Sequence, residues 1–198
     1  MTREYPERPL VGIGVVVLGA RGVLMIKRGK APRKGQWSLP GGAQELGETV
    51  SEAARREVME ETGLTIGILG LVDVVDSIRR DDAGKIQYHY TLVEFLARIP
   101  PSAETEPSPG GDADEATWIP VEDIPGLGLW SETERIINLA VEMLELVDES
   151  DRCGWPALSA ESRTCPRPQG KAASRSRMIS RATAIASART RPAFILGS

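Results

Sequence analysis

The chain is poor in the side chains from which soft metal centres and cross-linked scaffolds are built. Of 198 residues only two are cysteine, Cys153 and Cys165, and only one is histidine, His89. Two cysteines without a matching His or Cys set exclude a structural zinc site. Both fall in the last fifth of the chain, where a disulfide would tie together only a tail, so two free thiols in a reducing compartment are expected. His89 sits in an alternating strand pattern and is expected to be partly buried and structural. No apolar run approaches the roughly 18–20 residues that a membrane span requires. The first residues, Met1-Thr-Arg-Glu-Tyr-Pro, lack the apolar core of a secretory signal. A cytoplasmic protein with no membrane partner is the expectation. No internal repeat is present.

What the sequence does contain is an ordinary globular composition, 41% hydrophobic and 26% charged, on a length that suits one domain with a real core. The net charge of −4 conceals an asymmetry. Residues 1–150 carry 15 Lys/Arg against 26 Asp/Glu, a net of −11, and residues 151–198 carry nine against two, a net of +7. The texture changes at the same place: Ser, Arg, Ala and Pro dominate after Asp151 and periodicity fades. A folded domain over 1–150 and a basic, disordered tail over 151–198 are expected, with residues 178–188 as a candidate basic amphipathic helix. An acidic domain binds nucleic acid poorly unless a cation intervenes, so no specific nucleic-acid partner is expected.

Along the domain, LVGIGVVVL at 10–18 and VLMI at 23–26 flank a turn and read as a hairpin. Residues 27–35 are a basic loop. Residues 50–62 read as a helix with Gly63 at the C-cap position. Residues 64–75 are strand-like, 81–84 a turn, and YHYTLVEFLA at 88–97 is the best strand in the chain. A proline-rich loop follows at 100–111 and a short strand at 116–119. Ser131 and Glu134 match a capping box ahead of a last helix that ends near Glu149. Interleaved strands and helices imply an α/β fold, a mixed sheet with helices on both faces.

The chemistry concentrates in residues 42–64, GAQELGETVSEAARREVMEETGL. At about 100° per residue, Glu57, Glu60 and Glu61 fall within one sector of the helix. Such a cluster repels itself and sits at the unfavourable end of the helix dipole. A sequence that tolerates it either exposes that face or places a cation there. Carboxylates with glycine-rich backbone carbonyls nearby form a hard, oxygen-only site that suits Mg²⁺, with Mn²⁺ as a substitute.

The spacing decides between these readings. Gly42, Glu48, Arg56-Glu57-Val58, Glu60-Glu61 and Gly63-Leu64 match the Nudix box at every defined position, and in these residues the chain resembles the Nudix hydrolases. The resemblance implies an α/β/α sandwich with a central mixed sheet. It implies that Glu57, Glu60 and Glu61 bind the metals or their water, with the Gly41 carbonyl as a further ligand. Glu48 and Arg56 would pair and hold the loop on the helix, and Gly42 and Gly63 would support it. A glutamate would accept the proton of the attacking water: Glu57, or Glu115 outside the box, in an acidic loop where Asp112, Asp114 and Glu115 are further candidates for metal or substrate.

Substrate choice lies outside the box. Arg28, Arg33 and Lys34 are candidates for phosphate contact. Trp37 is a candidate to flank a base, against a role in packing the loop. The run at 28–42, the strand at 89–97 and the Glu-Ala-Thr-Trp segment look like the ADP-ribose pyrophosphatase-like branch. One departure is that Ile78 and Arg79 stand where some of its members carry a proline. The expected reaction is Mg²⁺-dependent cleavage of ADP-ribose to AMP and ribose 5-phosphate. Nucleoside triphosphates, oxidised or ordinary, are the second class, and a non-catalytic nucleotide sensor that regulates transcription is the third. No helix-turn-helix pattern accompanies the last. A homodimer is the expectation that the family brings.

Overall fold

Valine and isoleucine repeat through residues 10–18, and the chain folds them into the strand on which the rest is assembled. The computed structural model describes residues 3–30, 33–101, 103 and 105–152, with the side chains of 149–152 left aside. All lie in the first of the chain's two units, Met1–Trp155. Cys153, Cys165, the 178–188 helix and nearly all of the tail lie outside the described residues. In chain order the elements are β1 (Leu10–Gly19), β2 (Gly22–Arg28), β3 (Trp37–Ser38), β4 (Gly41–Ala43), α1 (Val50–Thr62), β5 (Gly67–Arg80), β6 (Ile86–Arg98), β7 (Ala113–Ile119), a 3-10 helix (Val121–Leu127) and α2 (Ser131–Arg152).

The sheet is mixed, with the order β3-β2-β1-β6-β5, while β4 pairs with β1 and β7 with β2. β1 runs parallel to β6 and antiparallel to β2 and β4. Being central, β1 is buried on both faces, and its side chains divide by parity. Ile13, Val15 and Val17 join Phe95 and Ala97 under Ala53, Ala54 and Val58 of α1. Val16 and Leu18 join Met25 and Leu96 under Ile136, Ile137 and Ala140 of α2. Each valine, leucine, isoleucine, methionine or phenylalanine among them contributes about 1.5–3 kcal/mol on burial. The result is the expected α/β/α sandwich.

Helix α1 starts and stops where local chemistry dictates. Thr49 Oγ1 accepts from Glu52 N–H at 3.2 Å while Glu52 Oε2 accepts from Thr49 N–H at 2.7 Å, a reciprocal capping box. Gly63 ends the helix at φ 70°, its N–H donating to the Met59 carbonyl at 2.9 Å. The proline-rich segment then returns to this end. Ser108 N–H reaches the Thr62 carbonyl at 2.9 Å and Gly110 N–H the Glu61 carbonyl at 3.2 Å, which satisfies acceptors the helix leaves open.

Four expectations are corrected. The strand placed at 64–75 is displaced: Leu64 and Ile66 enter the α1-side core, and β5 continues to Arg80. It does so because Asp81 Oδ1 accepts from Ala83 and Lys85 N–H at 3.0 and 2.8 Å, closing a tight hairpin to β6. β7 begins at Ala113, so Asp114 and Glu115 lie on a strand instead of in a loop. Ser131 is inside the first turn of α2, where the Trp130 carbonyl accepts from Thr133 and Glu134, and so it does not cap the helix as a box residue. Finally, α2 runs on to Arg152.

Candidate active site

The loop between β4 and α1 is held by one arginine. Arg56 donates from Nη2 to Glu48 Oε1 at 2.7 Å, from Nε to Glu48 Oε2 at 3.1 Å, and from Nη2 to the Ala43 carbonyl at 3.1 Å. This two-pronged pairing has the geometry a guanidinium favours with a carboxylate. It holds the Glu48 carboxyl below its ordinary range and pushes the Arg56 guanidinium up. Arg56 Nη1 continues to Glu57 Oε1 at 2.9 Å and Glu60 Oε2 at 3.4 Å. One cation thus touches three of the box carboxylates.

Glu61 is the most enclosed of the four, 4% exposed on a helix face turned inward. Its Oε2 accepts from Gly41 N–H at 2.8 Å. Burial pushes its pKa up to about 7; the Gly41 hydrogen bond and Arg28 oppose this, and the charges of Glu57 and Asp112 add to it. Burial also raises the Glu57 carboxyl, against the pull of Arg56. Where β4 meets them, Gly41 and Gly42 present no side chains to interfere. A Cβ on Gly42 would collide with the Glu57 carboxylate, and one on Gly41, at φ 152°, with the Ile13 carbonyl.

Anionic oxygen is therefore concentrated in a desolvated place, with Arg56 as partial compensation. These donors fit a hard divalent cation in kind. Among the described residues no three His, Cys, Asp or Glu side chains already stand in a metal cage. Glu57 and Glu60 are turned towards Arg56.

Beyond the Gly41–Ala43 strand a cavity of about 600 Å³ opens on the α2 face of the sheet. Its origin lies in the parity of β1. Gly12 and Gly14 occupy the face on which Val16 and Leu18 build the core, and their missing side chains leave the space. Arg3, Arg28, Arg33 and Arg79 stand on its wall with Tyr88 and Tyr90; Val75, Leu92, Trp130 and Ile136 form its apolar part; Ser38 and Glu94 complete it. Glu94 is buried and its pKa is pushed up to about 7, first by burial.

The sequence candidates divide. Glu57, Glu60, Glu61, Glu48, Arg56, Gly41 and Gly42 come together, and Arg28 lines the cavity. Asp112 pairs with Lys30 and its carbonyl accepts from Gly29 N–H at 2.8 Å, beside the same site. Trp37 packs against the α2-side core with Lys27 Nζ 5.6 Å from its ring centre. Glu115 faces Lys27 across β7 and β2 and forms an ion pair with it at 2.8 Å, half-exposed. Sequence reasoning missed Glu94, Ser38, Arg3 and Arg79. The available signal was Gly12 and Gly14 within a strand, which marks a close approach or a space.

Comparison with known proteins agrees with this arrangement. Residues 8–139 match the family described as NUDIX domain. An ADP-ribose pyrophosphatase of Methanocaldococcus jannaschii is 36% identical over 130 residues, 66% of this chain and 72% of that protein. An oxidized purine nucleoside triphosphate hydrolase of Danio rerio is 31% identical over 119 residues, 60% of this chain and 67% of that one. Other relatives are longer, and the chain spans between 24% and 58% of them. Among solved structures, a MutT NUDIX hydrolase from Burkholderia pseudomallei superposes with a TM-score of 0.56 at 31% identity, covering 67% of this chain and 98% of that one.

Proposed function

The chain belongs to the NUDIX family as a pyrophosphohydrolase of its ADP-ribose pyrophosphatase-like branch, and on that premise we propose that it hydrolyses ADP-ribose to AMP and ribose 5-phosphate with Mg²⁺. The observation that carries this reading is the cavity. Four arginines line a pocket that meets the buried box carboxylates at Gly41 and Gly42. Guanidinium groups are suited to the oxygens of a diphosphate, and the apolar end is suited to a flat base. The 36% identity to the M. jannaschii ADP-ribose pyrophosphatase supports the substrate.

Glu57, Glu60 and Glu61, with the Gly41 carbonyl, would hold the ion. When bound, Mg²⁺ neutralises phosphate oxygens and acidifies a water. The chain's own residues do the rest. Arg28 and its neighbours orient the diphosphate, and the Glu48–Arg56 pair keeps the loop on the helix. Glu57 takes the proton from the attacking water. It is preferred to Glu115 because it is half-buried against Gly42 and stands beside Glu60 and Glu61 on α1, whereas Glu115 lies half-exposed on β7.

Purified protein with Mg²⁺ should release AMP and ribose 5-phosphate from ADP-ribose, read by chromatography. Glu57→Gln should lower kcat by about 100-fold or more, as removal of a general base does. Turnover confined to nucleoside triphosphates would sink the ADP-ribose reading and favour the second one, to which the similarity to the D. rerio triphosphate hydrolase points. A homodimer also belongs to this reading. It is supported by Val11, Leu71, Val74 and Ile78, exposed on the α1 face of the sheet, and light scattering tests it.

A further inference from the structure

Two buried side-chain polar atoms among the described residues have no hydrogen-bond partner, Glu94 Oε2 and Ser38 Oγ. Both residues line the same cavity. Roughly nine in ten buried polar groups in proteins are paired, so two orphans on one cavity wall require a reason. The fold supplies none. On β6, residues 92, 94 and 96 share a face, and the neighbours of Glu94 are leucines that pack on the α2-side core. A leucine at 94 would serve packing better. The cation whose charge acts on the carboxylate does not answer it either: Arg135 donates to Asp73 Oδ2 at 2.8 Å and to Glu132 Oε2 at 2.6 Å. On β1 the residue opposite is Gly14, where a Cβ would overlap Glu94 Oε2. The chain thus keeps an acceptor buried, unpaired and sterically reserved.

We propose that Glu94 reads the base of the substrate, its Oε2 accepting a hydrogen bond from an N–H on the base edge while Ser38 Oγ meets an adjacent ring atom. This rests on the reading of the cavity as the nucleotide site, and deepens it by naming the residue that selects the nucleoside. An ionised carboxylate can only accept. It favours a base that presents an amino group or a ring N–H, and it opposes one that presents only lone pairs. A site built to receive such a donor rejects the analogue lacking it, because the acceptor is then left unpaired. Leu92, Val75 and Ile136 supply apolar walls for the ring.

The test measures binding of AMP, GMP and purine riboside 5′-monophosphate, whose base carries no amino group, to the full chain by calorimetry at pH 8.5. The better bound of AMP and GMP should exceed the purine riboside nucleotide by about 10- to 100-fold, the worth of one hydrogen bond to a charged group. Glu94→Gln, close to isosteric, should bring that ratio towards one while the variant still unfolds cooperatively, and Ser38→Ala should lower it less. A ratio unchanged in folded Glu94→Gln would overturn the proposal. So would equal affinity of the unaltered chain for all three, or for none, which tests it even if the variant fails to fold. ADP-ribose turnover is scored separately. A Glu94-dependent preference for GMP without ADP-ribose cleavage sinks the ADP-ribose reading alone. Cleavage without any amino-group preference sinks the role of Glu94 alone.

Discussion

Glu61 and Glu94 share a residue type and a pKa pushed up to about 7 by burial, yet they are surrounded differently. Glu61 has the Gly41 N–H and a second box carboxylate beside it. Glu94 has an unpartnered oxygen, Arg135 drawing its pKa down and Asp73 pushing it up. Its folded pKa lies above the ordinary 4.5, so the folded state holds the proton more tightly than the unfolded chain. The stability from Glu94 is therefore fully present below pH 4.5 and is lost as pH rises through about 7. Glu94→Gln should remove that loss, which is on the order of 3 kcal/mol at most. Urea unfolding at pH 5 and pH 8.5 checks this: the variant should be the more stable protein at pH 8.5 and nearly equal at pH 5. A variant less stable at both would show that the carboxylate is paired in solution.

At the scale of elements, two glycines bound the segments that position the box, Gly41 opening β4 and Gly63 closing α1, for different reasons. Gly63 holds φ 70°, a backbone conformation that costs an L-residue about 1 kcal/mol, and a Cβ there would meet Ser108 only at an ordinary contact distance of 3.8 Å. Gly41 is confined in space as well, since a Cβ would meet the Ile13 carbonyl. Gly63→Ala should then lower stability by about 1 kcal/mol. Gly41→Ala should cost more, roughly 1–3 kcal/mol, because β4 must move away from β1. It should also lower kcat/KM beyond its stability loss, since the N–H that holds Glu61 moves with the strand. Denaturant midpoints beside kinetics for both variants separate the two effects.

At the scale of the molecule, both cores and every cavity-lining residue fall between Arg3 and Leu144, within the unit Met1–Trp155. A chain ended after Trp155 should therefore keep its cooperative unfolding and its kcat/KM for the substrate. Side-by-side unfolding and kinetics of the two lengths check this, and a large loss in either would assign the tail a part in the fold or the site. Among the described residues no helix is long and apolar enough to cross a membrane.

The sequence by itself determined what rests on local spacing. Residues 50–62 had to form a helix ended by Gly63, and 3.6 residues per turn then placed Glu57, Glu60 and Glu61 on one side of it. The box spacing led to the family, and Glu48 and Arg56 were legible as partners because they belong to that same local pattern. Only the tertiary structure decided what depends on strands distant in the chain. Glu94 read as one polar position in a good strand. It became a cavity wall when β6 paired with β1 and set it opposite Gly14, 80 residues away. Glu115 read as a loop acid and became a strand residue paired with Lys27, because β7 pairs with β2. Arg3 and Arg79, 76 residues apart in the chain, came to one cavity. Periodicity reports which face a side chain takes on its own element. It does not report which element lies opposite, and that is where the unpaired oxygen of Glu94 and the space before it arise.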